Sequence, residues 1–245
     1  ATQAAGKAEE AKQKADAAAQ AATQSAAAAG EKAEEIAAQA AAKAEAILAK
    51  SIRAAWEADP NLSVEVKSDD IEIDRLDVAI DDAVLRVLAL DAPVATDLRT
   101  VIAVKAVATD LERVGDLARN IASCGRRLSD QEAFTFPENL RSLADDSQRA
   151  LQQANQAFAV LDPDLARNVL DGDDRIDDLE AEIVRASIDS LAEHPESTKQ
   201  VIDLIFIAQS LERVGDHATN IAEETILAAE AKNLKHAEKL ERASD

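Results

Sequence analysis

A chain of 245 residues with a formal charge of −21 can form one large domain or two of about 120 residues. The acidity argues against nucleic-acid binding, because no basic patch is present to release counterions from phosphates. Alanine dominates, Gly and Pro are scarce, and the other common residues are strong helix formers, so the composition predicts an all-α protein with no sheet.

Residues 1 to about 58 read as one long alanine-rich helix, with residues 1–30 as an extension that has no counterpart later in the chain. Burial scales with apolar area, and alanine offers little. This helix is therefore expected to be mostly solvated, with an alanine seam against a neighbour as the alternative. Asp59-Pro60-Asn61-Leu62 ends it, since the residue before proline is pushed out of the α region. A second helix, about 62 to 90, carries the stripe Ile71, Leu76, Ile80, Val84, Val87 and Leu88. Asp91-Ala92-Pro93 is the next break. A third helix is expected from about 93 to 127, with Pro93 in its first position.

Residues 128 to 136 read as a linker, and Pro137 opens the fourth helix. Leu161-Asp162-Pro163-Asp164-Leu165 then matches the break at Asp59. A fifth helix carries Ile176, Leu179, Ile183, Ile188 and Leu191, and a sixth runs from about 197 to 230. The pattern is two tandem three-helix bundles, residues 1–130 and 131–245.

An internal repeat supports that division. Leu111-Glu112-Arg113-Val114-Gly115-Asp116 recurs letter for letter at Leu211-Glu212-Arg213-Val214-Gly215-Asp216. Both copies continue to Asn-Ile-Ala, at Asn120 and Asn220. Each copy places Glu, Asp and Asn four residues apart on one helical stripe. Oxygen donors of this kind suit Mg²⁺, Ca²⁺, Mn²⁺ or iron. One helix fills only part of such a shell. Asp70, Asp74, Asp77 and Asp81 on the second helix, and Asp173, Asp177, Glu180 and Glu182 on the fifth, are available to complete it. Asp74 and Asp177 occupy equivalent places. The candidate metal ligands are thus Glu112, Asp116, Asn120 and Asp74, with Glu212, Asp216, Asn220 and Asp177. The alternative is a solvated acidic face with ordinary surface ion pairs. The mid-helix glycines Gly115 and Gly215 each cost about 1 kcal/mol against alanine, which points to close approach of a neighbouring helix or a ligand.

Other chemistry is thinly represented. There is no glycine-rich phosphate loop and no Glu-x-x-His. His217 adjoins Asp216 and is read either as a member of the site or, more commonly for a lone histidine beside an acid, as a surface pair. No Ser or Cys has a recognisable base beside it, so no catalytic constellation is found and the chain is not expected to be an enzyme. Cys124, the single cysteine, excludes an internal disulfide and reads as a small buried apolar side chain. No apolar run approaches the ~20 residues of a membrane helix, and charges begin at Lys7 without an apolar signal region, so a cytoplasmic location is expected.

Pro93 to Arg99, followed by Asp110 to Ala122, closely resembles the PhoU family, the accessory proteins of the bacterial phosphate-specific transport system. Ser210 to Glu224 agrees in the second half, and the resemblance spans about residues 59 to 240. It implies two similar three-helix bundles whose acidic motifs hold divalent metal or iron ions. It implies a negative regulator of phosphate uptake and of the phosphate regulon. Such a protein acts through contacts with the transporter's ATPase and the membrane-bound sensor histidine kinase; a second copy of the chain (a homodimer) is a further candidate partner, on which the sequence is silent. By the same resemblance, the motif falls on Glu112, Asp116, Glu212 and Asp216, followed by Asn120 and Asn220. The first helix departs from the family, where it carries larger apolar residues. A metal-dependent enzyme on a helical bundle and a ligand-free helical scaffold are the competing readings.

Overall fold

The computed structural model describes residues 30–129 and 136–234, and every regular element among them is helical. Helix α1 covers residues 30–56. It is followed by α2 (Pro60–Asp91), α3 (Ala95–Ser129), α4 (Glu138–Val160), α5 (Pro163–Asp171), α6 (Asp173–Glu193), a short 3₁₀ turn (Pro195–Ser197) and α7 (Thr198–Glu230). The first bundle is α1–α3 and the second α4–α7. All of the expected extension over residues 1–30 except Gly30, and most of the expected linker, lie outside the described residues.

The two proline breaks are built alike. Ala58 and Leu161 adopt left-handed backbone, with φ of 54° and 49°. Asp59 and Asp162 then cap the next helix. Asp59 accepts from the backbone N–H of Asn61, and Asp162 from those of Asp164 and Leu165. Proline takes the first helical position in both, where its missing N–H costs nothing. Caps of this type stabilise a helix by about 1 kcal/mol.

Several local expectations need correction, beginning with Ile71 and Ile188, which the pattern places on apolar stripes but which are exposed. Pro93 does not open α3. Ala92 turns left-handed (φ 44°) to end α2, Pro93 and Val94 bridge, and α3 starts at Ala95. The fifth helix is divided at Gly172 into α5 and α6. And from Ala33 onward α1 is no solvated helix. Ala33, Ala37, Ala40, Ala44, Ala54 and Ala55 are buried with Ile36, Ile47 and Leu48. The alanine seam is the packing device, because small side chains bring helix axes close enough for backbone and Cβ atoms to supply the contact. Gly125 on α3 shows how close: a Cβ there would overlap the Cα and Cβ of Ala55 on α1.

The bundles are joined by α3 and α7, which run antiparallel. Arg99 near the start of α3 donates to the Ala228 carbonyl near the end of α7. At the other end Arg127 Nε donates to Asp203 at 2.8 Å. Leu111, Val114, Ala118, Ile121, Leu211, Val214, Ala218 and Ile221 are fully buried, so the repeated phrase forms the centre of one continuous core.

Candidate metal site on two acidic ridges

The repeated helix lies against the preceding acidic helix in each bundle. Glycine permits the approach. A Cβ on Gly115 would sit 3.0 Å from Asp70 Oδ1 and 3.3 Å from Ile73 Cδ1, and one on Gly215 would sit 3.1 Å from two carbons of Ile176. The mid-helix glycines thus answer to helix packing. Their placement sets Glu112 and Asp116 facing Asp70, Asp74 and Asp77, and sets Glu212 and Asp216 facing Asp173, Asp177 and Glu180.

The first ridge carries its own bases. Arg119 donates to Asp70 and, at 2.7 Å, to Asp116. Arg113 reaches Asp116 at 3.2 Å and Glu112 at 3.4 Å. Lys105 joins Asp77 at 3.2 Å and Asp81 at 2.6 Å. Asp70 is only 2% exposed, and its burial outweighs Arg119 and raises its pKa. Burial also raises Glu112, against the pull of Arg113.

The second ridge keeps Arg213, which makes no ion pair among the described residues, but lacks the other two bases at the equivalent places. Thr219 stands where Arg119 would be, with its hydroxyl turned to the Asp216 carbonyl at 2.7 Å. Ile205 stands where Lys105 would be. The carboxylates consequently repel one another. Burial first, then Asp216, Asp177, Glu180 and Asp173, push Glu212 up to about 7. Burial, then Asp177, Asp216 and Asp174, push Asp173 up to about 6. Asp177, Glu180 and Asp216 are raised as well, burial being the largest cause for each. Only Asp216 feels opposing charge, from His217 and Arg213.

The eight sequence candidates therefore separate. Glu112 and Asp116 lie on the first ridge with Asp74 exposed at its edge, and Glu212 and Asp216 lie on the second with Asp177 likewise exposed. The asparagines serve the seam between bundles. Asn220 donates to Asp110 Oδ1 at 3.1 Å, and Asn120 lines a cavity against α7. Asp173 and Glu180, which the sequence offers to complete the shell, join the second ridge beside Glu212 as the equivalents of Asp70 and Asp77. Lys105 and Arg119 had no sequence signal of their own, because a basic residue on an acidic helix reads as surface. His217 is no surface pair: it is largely buried at the seam, with Nδ1 2.8 Å from Asp110 Oδ1. Cys124 is buried, and burial pushes its thiol up to about 11 against the pull of Arg127, so it is neutral at physiological pH.

Carboxylate oxygens without a base are the donor chemistry of hard cations. The second ridge fits such an ion by donor type. The first has half its charge answered internally. Among the described residues, no three His, Cys, Asp or Glu side chains already converge into a ligand shell. The second ridge is an unneutralised charge rather than a finished cage.

Fold and ridges together define a class: a duplicated three-helix-bundle protein with paired acidic motifs on its central helices. The family model for the PhoU domain matches twice, over residues 37–124 and 140–225. The chain belongs to the PhoU family. A phosphate-specific transport system accessory protein PhoU homolog of Pseudomonas aeruginosa is 33% identical over 187 residues, covering 76% of this chain and 77% of that one. A PhoU homolog 1 of Thermotoga maritima is 36% identical over 171 residues, covering 69% and 73%. The crystal structure of PhoU from Pseudomonas aeruginosa superimposes with a TM-score of 0.81 at 30% identity, covering 84% of this chain and 99% of that one. These relatives are named as accessory proteins of transport, not as enzymes. Among the described residues no helix is long and apolar enough to cross a membrane.

Proposed function

We propose that the chain is a metal-binding cytoplasmic regulator of phosphate uptake and phosphate-regulon signalling. It acts by contact with the ATPase of a phosphate transporter and with a sensor histidine kinase. The relatives named as accessory proteins of phosphate-specific transport support the biological setting. The ridge of α6 and α7, whose carboxylates make no ion pair with Lys or Arg among the described residues apart from the longer-range pull of Arg213 on Asp216, is the observation that supports the metal. Glu212, Asp216, Asp173, Asp177 and Glu180 would hold the ion. Bound there, a divalent cation or iron ion relieves the mutual repulsion that raises these carboxylates, and ties α6 to α7.

The chemistry of the surface sets the mode of contact. A charge of −21 favours docking on basic faces of the partners, with association that weakens as salt rises. In a pull-down, the immobilised chain should retain the transporter ATPase and the kinase at low ionic strength and release both at high. Failure to retain either at any salt concentration removes the adaptor role, and retention independent of salt replaces the electrostatic interface with an apolar one. The same reading includes a homodimer. The outer face of α2 carries Val64, Ile71, Val78 and Leu85, all exposed at intervals of seven, as the apolar row for it. Light scattering should give twice the 26.0 kDa chain mass, and 26.0 kDa alone would remove the dimer.

A further inference from the structure

The antiparallel pair α3 and α7 has an approximate twofold relation, and at the seam it is broken at Asp110 and Ser210 and at His217 and its counterpart Leu117. Asp110 and Ser210 both stand immediately before the repeated Leu-Glu-Arg-Val-Gly-Asp. Asp110 Oδ1 lies 2.8 Å from His217 Nδ1 and accepts from Asn220 Nδ2 at 3.1 Å. At the mirrored place no carboxylate exists. Ser210 donates to the Phe206 carbonyl at 2.7 Å. Asn120, the counterpart of Asn220, has no hydrogen-bond partner among the described residues.

A cavity of about 390 Å³ opens there. Its walls include Asn120, Ser123, Gln209, Ser210, Arg213 and Phe206, with Arg127 and its Asp203 partner at one side. Among the described residues no acidic side chain lines the cavity itself, Asp203 lying behind Arg127, in a chain that has 48 acidic residues. Arg213 also departs from its counterpart. Arg113 bridges Glu112 and Asp116, whereas Arg213 forms no ion pair among the described residues. Donors are therefore gathered around the place where the other half of the molecule supplies a carboxylate. Phe206, 51% exposed, adds a flat apolar wall. The volume is in the range of small-ligand sites, roughly 300–1,000 Å³.

We propose that this cavity binds a small oxyanion, carboxylate or phosphoryl, carried on a planar ring that lies against Phe206. The head takes the place that Asp110 fills at the mirrored position, accepting from the Asn120 amide and the Arg213 guanidinium. Charge-assisted bonds of this kind are the strong ones. The acidity of the whole molecule opposes an anion, and solvent at an open site weakens each bond. The expected dissociation constant is therefore weak, about 0.1–1 mM. The proposal rests on neither the metal nor the partners.

The test is calorimetric titration of the full chain at constant ionic strength with benzoate, phenyl phosphate, inorganic phosphate and neutral benzyl alcohol. At least one ring-bearing anion should bind, the tighter of the two identifying the head, and benzyl alcohol should not. Arg213→Gln should weaken binding by about tenfold or more. That variant should keep its helical circular dichroism, since Arg213 is exposed and makes no ion pair among the described residues. Ser210→Asp should abolish binding by supplying the missing carboxylate from within. Failure of both ring-bearing anions to bind, or equal affinity in Arg213→Gln, would overturn the site. Inorganic phosphate binding as tightly as phenyl phosphate would overturn the stacked ring.

Discussion

Replacing Gly125 by alanine should cost about 2–3 kcal/mol of stability, at the upper end of what overpacking a core does. The new Cβ would overlap the Cα and Cβ of Ala55, with the Ala55 nitrogen only 3.3 Å away. These atoms belong to the body of α1, so no side-chain rotation makes room, and α1 and α3 must separate. Separation is damaging here because the seam is made of alanine. Ala33, Ala37, Ala40 and Ala44 have no long side chains to follow a receding partner. The gain in helix propensity, about 1 kcal/mol, offsets only part of the loss. Gly215→Ala provides the contrast. Its Cβ meets two side-chain carbons of Ile176 at 3.1 Å, and those can shift. The propensity gain should then leave stability within about 1 kcal/mol of the parent. Urea denaturation of the two variants checks the difference. Equal midpoints would contradict the close approach of α1 and α3.

The second large effect is on pH. Glu212 is raised from its ordinary 4.5 to about 7 and Asp173 from 3.8 to about 6. A carboxyl whose pKa is higher folded than unfolded binds its proton more tightly in the folded state. Its contribution to stability is complete below about pH 4, declines as pH rises through the unfolded and then the folded value, and is lost above about pH 7. The metal-free protein should therefore be most stable in mild acid and lose stability between about pH 4 and 7. A difference of one in pKa between folded and unfolded chain corresponds to about 1.4 kcal/mol before solvent screening. Solvent reaches this ridge, so the effect of Glu212 is discounted to about 1–2 kcal/mol. Glu212→Gln should stabilise the metal-free chain by that amount at pH 8, be nearly neutral at pH 4, and flatten the profile between. The acidity of the whole molecule also destabilises it as pH rises, and the comparison of variant with parent removes that common part. Thermal unfolding across this range in the presence of a chelator is the measurement. Parallel profiles for the two proteins would show that Glu212 carries no such strain.

Much of this architecture was legible because it is written in local signals. The repeated phrase announces the duplication, and the Asp-Pro pairs at Asp59 and Asp162 announce the helix breaks, to which the structure adds that those carboxylates cap the helices beginning at Pro60 and Pro163. Gly115 and Gly215 point to close helix approach, which Asp70, Ile73 and Ile176 supply. The misreadings have a common cause. Alanine is a helix former with little area to bury, so composition favours exposure for α1, although a partner with glycine at the right height makes the same residues a tight seam. Asn120 and Asn220 share a stripe with the acids in sequence. A turn of helix beyond, that stripe has passed from the ridge to the seam with the opposite bundle, and Asp110, on the opposite bundle's central helix, decides the bonding of Asn220. The asymmetry between the ridges rests on Lys105 and Arg119 against Ile205 and Thr219. It becomes visible only when the helices are placed side by side.

That asymmetry alters where bound metal should be found. Two equal motifs would each hold part of the metal, so substituting Glu112 and Asp116 together would remove about half of it. With Arg119, Arg113 and Lys105 already occupying the first ridge, the proposed ion is expected on the second. Titration of the metal-stripped protein with Mn²⁺, followed by electron paramagnetic resonance of the free ion, tests this most directly. One tight ion per chain is expected, retained in the Glu112→Gln/Asp116→Asn variant and lost in Glu212→Gln/Asp216→Asn. Loss of the ion in the first variant with retention in the second, or no uptake by the parent, would contradict the account.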